Sequence, residues 1–133
     1  PDGTLYAGGS FTTAGGVLAR HIARWDGSAW SALSSGASPG VNNVVYTLLF
    51  APDGSLYVGG EFTAAGGIPA NRIARWDGSA WSALGSGLRG GEGCCNPPEA
   101  LAFVGSDLYV GGHFRFAGNK PSSYIARWMT APE

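Results

Sequence analysis

Charge is scarce in this chain. Only 13% of its 133 residues are charged, and the formal net charge is −1. A protein that binds a nucleic-acid backbone or an anionic membrane surface needs a field of Lys and Arg side chains, and no such field is present. Uninterrupted apolar runs of about 18 residues are also lacking, so no transmembrane helix is predicted. We therefore expect no nucleic-acid partner and no membrane insertion.

Residues that carry chemistry are few. The chain has two histidines, two cysteines and one methionine. His-Glu-x-x-His and paired Cys-x-x-Cys patterns are missing, so no zinc site is predicted. No pair of carboxylates stands in a distinctive glycosidase motif. The sequence predicts no catalytic residue, no metal and no cofactor, and it leans against an enzyme, although side chains from distant segments could converge on a catalytic site.

Glycine is abundant, at 23 residues, and the chain repeats itself. Residues 1–36 align with residues 52–87 at an offset of 51, and 27 of these 36 positions are identical. A divergent third copy, at an offset of 52, runs from Leu108 to Trp128. Repeats of about 50 residues with several short strands each are typical of β-propellers, in which one repeat forms one four-stranded blade.

The second copy is complete, and its hydrophobic pattern predicts four strands. These are Val44–Ala51, which is innermost, then Leu56–Thr63, Arg72–Trp76 and Ala80–Leu84. Asp77–Gly78 predicts a type I′ hairpin turn. The paired Gly59 and Gly60 predict a bulge or a place where a neighbouring chain packs close to the backbone. Residues 64–71 and 85–90 are expected to be loops.

The predicted fold class is all-β: about two and a half four-stranded antiparallel propeller blades in an incomplete ring. Blade 1 spans residues 1–40 and lacks an innermost strand, and blade 2 spans residues 41–88. Blade 3 spans residues 89–133 and lacks an outer strand. Because a closed propeller needs about four to eight blades, we expect either part of a longer propeller chain or a homo-oligomer that completes the ring.

Candidate binding residues lie where the copies differ. One repeat position holds Ser10, Glu61 or His113, and another holds His21, Arg72 or Tyr124. A rim that varies between blades would face a ligand, whereas surface drift is the alternative. The candidate binding residues are Glu61, His113, Arg72, Tyr124 and His21.

Residues that the copies share are predicted to be structural. An Arg in each copy is predicted to tie strands or blades together, and repeated ligand contact is the alternative. The tryptophans are predicted to pack between blades, with a sugar platform as the alternative. The residues concerned are Arg24, Arg75, Arg127, Trp25, Trp30, Trp76, Trp81 and Trp128.

Cys94 and Cys95 are adjacent in the connection between the second and third copies. They could form a strained vicinal disulfide or pair with another segment or another chain. A structural disulfide is favoured over a redox role. An oxidised pair would favour a location outside the cytoplasm.

The repeated pattern GGxFTxAGG…IARWDGSAWSALGSG resembles the repeat of bacterial secreted and surface β-propellers related to the Rax2-like and kelch/galactose-oxidase-like group. The resemblance covers nearly the whole chain and implies an extracellular or cell-surface blade array. It carries over no catalytic residue, because the copper ligands and covalent cofactor of galactose oxidase have no counterpart here. The third copy departs from the pattern, since Met129 replaces the turn Asp.

These features predict a non-enzymatic extracellular module that binds a protein or a glycan. One alternative is a structural subunit that self-assembles into a ring or filament, with blades completed between chains. A second alternative is a carbohydrate-active propeller domain.

Overall fold

The computed structural model describes residues 3–35, 38–85, 87–89, 98–112, 114, 116–117, 120–121 and 125–129. These residues form nineteen short strands and no helix. The strands are β1 (Leu5–Gly8), β2 (Thr13–Ala14), β3 (Val17–Leu18), β4 (Ile22–Trp25), β5 (Trp30–Ala32), β6 (Ser34–Ser35), β7 (Ser38–Pro39), β8 (Val45–Phe50), β9 (Leu56–Gly60), β10 (Ala64–Ala65), β11 (Ile68–Pro69), β12 (Ile73–Trp76), β13 (Trp81–Ala83), β14 (Leu88–Arg89), β15 (Pro98–Val104), β16 (Asp107–Gly112), β17 (Phe116–Ala117), β18 (Lys120–Pro121) and β19 (Ile125–Met129).

Three antiparallel sheets carry the fold. The first has the order β1-β4-β5, the second β8-β9-β12-β13 and the third β15-β16-β19. Equivalent strands pair in the same register, because Leu5 lies opposite Trp25 as Leu56 lies opposite Trp76. Each sheet draws its strands from one of the predicted ranges 1–40, 41–88 and 89–133, although the boundaries of those ranges stay a prediction.

The sheets stack through two hydrophobic layers built from repeated residues. We call the surface of a sheet that holds Tyr57, Ile73 and Leu84 its forward face, and the surface that holds Leu56 and Trp76 its rear face. Neighbouring residues of one strand fall on different faces because side chains alternate along a strand. The forward face of the first sheet packs on the rear face of the second, and the forward face of the second packs on the rear face of the third.

The two segments predicted to be loops contain short strands. Within residues 64–71, β10 pairs with β11 around Gly66 and Gly67, both of which have positive φ angles. Within residues 85–90, β14 pairs with β17. The prediction of a loop was wrong at residues 64–71 because Gly66 and Gly67 allow a tight reversal whose flanking residues still pair. It was wrong at residues 85–90 because Leu88–Arg89 pairs with a strand of the third copy.

The turn at Asp77–Gly78 is a hairpin, but it is not of type I′. That type requires positive φ at both central residues, whereas Gly78 has φ +108° and Asp77 is outside the positive region. The Asp77 carboxylate instead accepts backbone hydrogen bonds from Ser79 at 2.9 Å and Ala80 at 2.8 Å. The Asp side chain therefore closes the turn as an Asx-type cap.

Gly59 and Gly60 lie at a β-bulge and also at a point where a neighbouring sheet packs close to the backbone, and the sequence predicted one or the other. A register shift between Val45 and Thr47 makes a β-bulge directly opposite Gly59 and Gly60. A Cβ atom on Gly59 would lie 2.6 Å from the Pro98 ring of the third sheet. Glycine is therefore required where one sheet's backbone meets the next.

Candidate functional site

His21 and Arg72 occupy equivalent left-handed positions. Their φ angles are 65° and 66°, and both residues precede the third strand of their repeat. The Gly9 N–H donates to the His21 carbonyl at 3.0 Å, and the Gly60 N–H donates to the Arg72 carbonyl at 3.1 Å. A non-glycine residue in this region is uncommon. The shared geometry identifies this position as a bend that both repeats need.

The side chains at this bend point to backbone atoms of their own chain. Arg72 Nη1 donates to the Leu88 carbonyl at 3.3 Å. His21 Nδ1 lies 3.3 Å from the Gly9 carbonyl oxygen. Tyr124, at the equivalent position of the third copy, lies outside the described residues, as do His113, Cys94 and Cys95. The proposed role of these residues in ligand binding stays a prediction.

Glu61 lies beside the β-bulges of the inner strands. Tyr46 is the extra residue of the β8 bulge, and Glu99 is the extra residue of the equivalent bulge in β15. Partial burial, a hydrogen bond to Glu61, and the charges of Glu61 and Glu99 raise the pKa of Tyr46. These three residues, which we call the bulge cluster, place two carboxylates near an exposed phenol.

Two of the repeated arginines contact a neighbouring strand or turn of their own sheet. Arg75 Nη2 pairs with Asp53 Oδ2 at 3.4 Å, and Arg24 Nε donates to Ser31 Oγ at 3.3 Å. Backbone and side-chain hydrogen bonds from Ser55, and then the contact with Arg75, lower the pKa of Asp53. Arg127 lies opposite Tyr109 in the pairing of β16 with β19.

Four of the five tryptophans form cross-strand pairs within hairpins. The ring centroids of Trp25 and Trp30 are 5.4 Å apart, and those of Trp76 and Trp81 are 5.2 Å apart. Trp81 also crosses between sheets, because its Nε1 donates to the buried carbonyl of Leu33 at 2.8 Å. Trp76 Nε1 is buried without a partner among the described residues.

Sequence reasoning missed Gly40, which has the same role as Gly87. A Cβ atom on Gly40 would lie 2.3 Å from the Arg20 carbonyl oxygen, and one on Gly87 would lie 2.3 Å from that of Asn71. Both glycines have positive φ angles. The repeat alignment matched Gly36 with Gly87. In the structure the residue equivalent to Gly87 is Gly40, four positions further along the chain.

Asn42 was missed as well. Its Oδ1 accepts hydrogen bonds from the backbone N–H groups of Thr63 and Ala64, and its Nδ2 donates to Thr63 Oγ1 at 3.0 Å. Asn42 thereby fixes the connection between the first two sheets. Its position after a Pro-Gly pair was the available signal for a turn-capping residue.

Two hollows lie at sheet junctions. One, of about 250 Å³, includes Arg20, Asn42 and Leu18 in its lining. The other, of about 340 Å³, includes Trp128 and the Asp53–Arg75 pair. Both are open and small, and neither brings together two of the residues predicted from repeat differences.

Comparison with known proteins supports the architecture. Residues 1–25 and 51–76 match a family described as "Domain of unknown function (DUF5122) beta-propeller". Each matched segment runs through the equivalent strands β1 to β4 or β9 to β12. The three sheets are β-propeller blades. No curated protein and no solved structure matches the chain.

The blades confirm the predicted fold class. The finer resemblance to Rax2-like and kelch/galactose-oxidase-like propellers stays a prediction. In the ranges that the structure describes, no helix is long and apolar enough to cross a membrane. Within the same ranges, no three His, Cys, Asp or Glu side chains are grouped so that they could hold a metal ion.

The two end blades expose residues that the repeat buries elsewhere. Leu5 on the rear face of blade 1 is 57% exposed, whereas the equivalent Leu56 and Leu108 are 1% and 0% exposed. Ile125 on the forward face of blade 3 is 65% exposed, whereas Ile22 and Ile73 are fully buried. These end faces are the strongest departure from the internal pattern in the described chain.

Proposed function

We propose that the protein is a non-enzymatic interaction module whose end faces join one copy head to tail with a second copy. The observation that carries this proposal is the exposure of Leu5 and Ile125 at positions that the other blades bury completely. Full burial of one Leu or Ile side chain contributes about 1.5–3 kcal/mol. The end faces are therefore a favourable surface for association.

We propose a second copy as the partner of each end face because one end presents a forward face and the other a rear face, and these two kinds of face pack together inside the chain. Inside the chain a forward face packs on a rear face twice. Contact between the Ile125 face of one copy and the Leu5 face of another would repeat that arrangement. Such a contact is heterologous, because it joins two different surfaces of the blade array.

The test is the oligomeric state of the chain and of matched variants in sedimentation analysis. We expect the unaltered chain to form dimers, and Leu5→Glu and Ile125→Glu to be monomers. Leu18→Glu is the control, because Leu18 is 52% exposed but lies outside both end faces. It should leave the dimer intact.

Mixing the two disrupted variants tests the direction of the contact. Leu5→Glu keeps its forward face and Ile125→Glu keeps its rear face, so an equimolar mixture should recover a heterodimer. A chain that remains monomeric at its highest soluble concentration would overturn the proposal. An interface that Leu18→Glu breaks and Leu5→Glu spares would do the same.

The bulge cluster favours a second function, the binding of a cationic side chain of a protein partner. Glu61 and Glu99 supply negative charge beside the Tyr46 ring, and such a ring attracts cations over its face. Calorimetric titration with a lysine-rich peptide tests this function. Glu61→Gln should weaken binding, and equal affinity in that variant would refute it. The extracellular location remains part of the proposal and is tested by cell fractionation.

A further inference from the structure

We propose that the hollow between blades 1 and 2, which we call the Arg20 hollow, binds a glutamate side chain from an extended segment of a partner protein. Its volume is about 250 Å³. Leu18 and Arg20 line it from blade 1, Ala64 and Gly67 line it from blade 2, and residues 39–42 line it from the connection between them. This junction involves neither end face, so the inference does not rest on the proposed head-to-tail contact.

Backbone hydrogen bonds from both blades fix the walls of the hollow. The Val41 N–H donates to the Arg20 carbonyl at 3.1 Å, and the Gly66 N–H donates to the Gly40 carbonyl at 2.8 Å. The Asn42 side chain accepts two further backbone hydrogen bonds from blade 2. The site is therefore formed before a ligand arrives, and binding does not have to order a loop.

The Arg20 side chain is not needed to build this junction. Between blades 2 and 3 the Leu88 N–H donates to the Asn71 carbonyl at 3.0 Å, in the same way as Val41 donates to Arg20. The same backbone arrangement thus forms with asparagine at the equivalent position. The structural role belongs to the carbonyl group, which leaves the guanidinium for another task.

The Arg20 guanidinium is available to a ligand. The residue is exposed, and its side chain makes no hydrogen bond or ion pair with another described residue. Arg24, Arg72 and Arg75, by contrast, each donate to an atom of their own chain. No Asp or Glu is among the described residues that line the hollow. A guanidinium in such surroundings favours a carboxylate, which its planar fork can bind through two hydrogen bonds.

The size and lining of the hollow favour glutamate over other anions. Sites for whole small molecules have volumes of about 300–1,000 Å³, so this smaller hollow suits one side chain. Leu18, Pro39 and Val41 supply apolar surface for an aliphatic stem. One guanidinium matches one negative charge, whereas phosphorylated segments are recognised by clusters of arginines. A carboxylate on a short aliphatic stem meets all three conditions.

NMR titration of the full chain with the capped peptide Gly-Ala-Glu-Ala-Gly tests the proposal. We expect the Arg20 Nε–H signal and the Ala64 and Gly67 amide signals to shift on binding. A matched peptide with Gln in place of Glu should bind about tenfold or more weakly, because it cannot make a charge-assisted hydrogen bond. Absence of shifts at these residues, equal affinity for the two peptides, or tighter binding of a phosphoserine peptide would each overturn the inference.

Two substitutions of Arg20 separate binding from folding. Arg20→Asn should weaken binding of the Glu peptide about tenfold or more, while its urea midpoint stays close to that of the unaltered chain because Asn71 fills the equivalent position. Arg20→Lys keeps the charge but not the fork, so its affinity should lie between the two. Full affinity in Arg20→Asn would overturn the inference. Ile125→Glu should bind the peptide as the unaltered chain does, so failure of head-to-tail association and failure of glutamate binding give different results.

Discussion

Trp81→Phe tests whether one indole hydrogen bond couples blades 1 and 2. Trp81 begins the outer strand of blade 2, and its Nε1 donates to the Leu33 carbonyl of blade 1 at 2.8 Å. Phenylalanine keeps an aromatic ring but has no donor. The buried Leu33 carbonyl would therefore lose this partner at the interface between the two blades.

Trp76→Phe is the matched control. Trp76 and Trp81 are 3% and 5% exposed and belong to the same aromatic pair. Trp76 Nε1, however, has no hydrogen-bond partner in the described chain. Both substitutions remove similar ring volume, but only Trp81→Phe leaves a previously bonded buried carbonyl unsatisfied. That penalty is about 1–3 kcal/mol, so Trp81→Phe should destabilise by about that much more than Trp76→Phe.

Urea unfolding followed by circular dichroism measures the difference, and each variant is fitted with its own folded and unfolded baselines because the paired indoles contribute to this signal. Both substitutions should be made in an Ile125→Glu background, so that association does not contribute to the measured stability. The midpoint should fall further for Trp81→Phe at an unchanged m-value. Equal losses for the two variants would refute the hydrogen bond as the coupling element.

Three further predictions use internal controls. Gly87→Ala should destabilise more than Gly54→Ala in urea unfolding, because both have positive φ but only a Cβ at Gly87 would meet backbone, at 2.3 Å. Leu56→Ala should destabilise by about 2–5 kcal/mol, whereas Leu5→Ala in a monomeric background should stay within about 1 kcal/mol. Backbone hydrogen bonds from the turn lower the pKa of Asp77. Its contribution to stability is therefore present above the ordinary carboxyl pKa of about 3.9 and is lost as pH falls through the lowered folded-state pKa. Asp77→Asn should flatten this acid limb in unfolding measured from pH 6 to pH 2, and an unchanged limb would contradict the assignment.

The blade architecture could be predicted because it depends on local signals that recur. Apolar strands, a turn glycine and an aromatic hairpin pair appear in the same order in the first two copies. The role of Gly40 could not be predicted in this way. Leu33 and Gly40 are seven positions apart, whereas Leu84 and Gly87 are three apart. The longer connection contains the β6–β7 pair. Residues that align in sequence therefore do not occupy equivalent positions in the structure there.

The bulge cluster shows a second limit of sequence reasoning. Strict alternation along Val44–Ala51 would place Tyr46 on one face with Leu48 and Phe50. The bulge turns Tyr46 outward, to 51% exposure, while Leu48 and Phe50 stay half-buried. Gly59 and Gly60 signalled an irregularity, but a glycine pair does not specify which residue of the opposite strand becomes the extra one. Glu61 was therefore identified as a candidate without the tyrosine that it contacts.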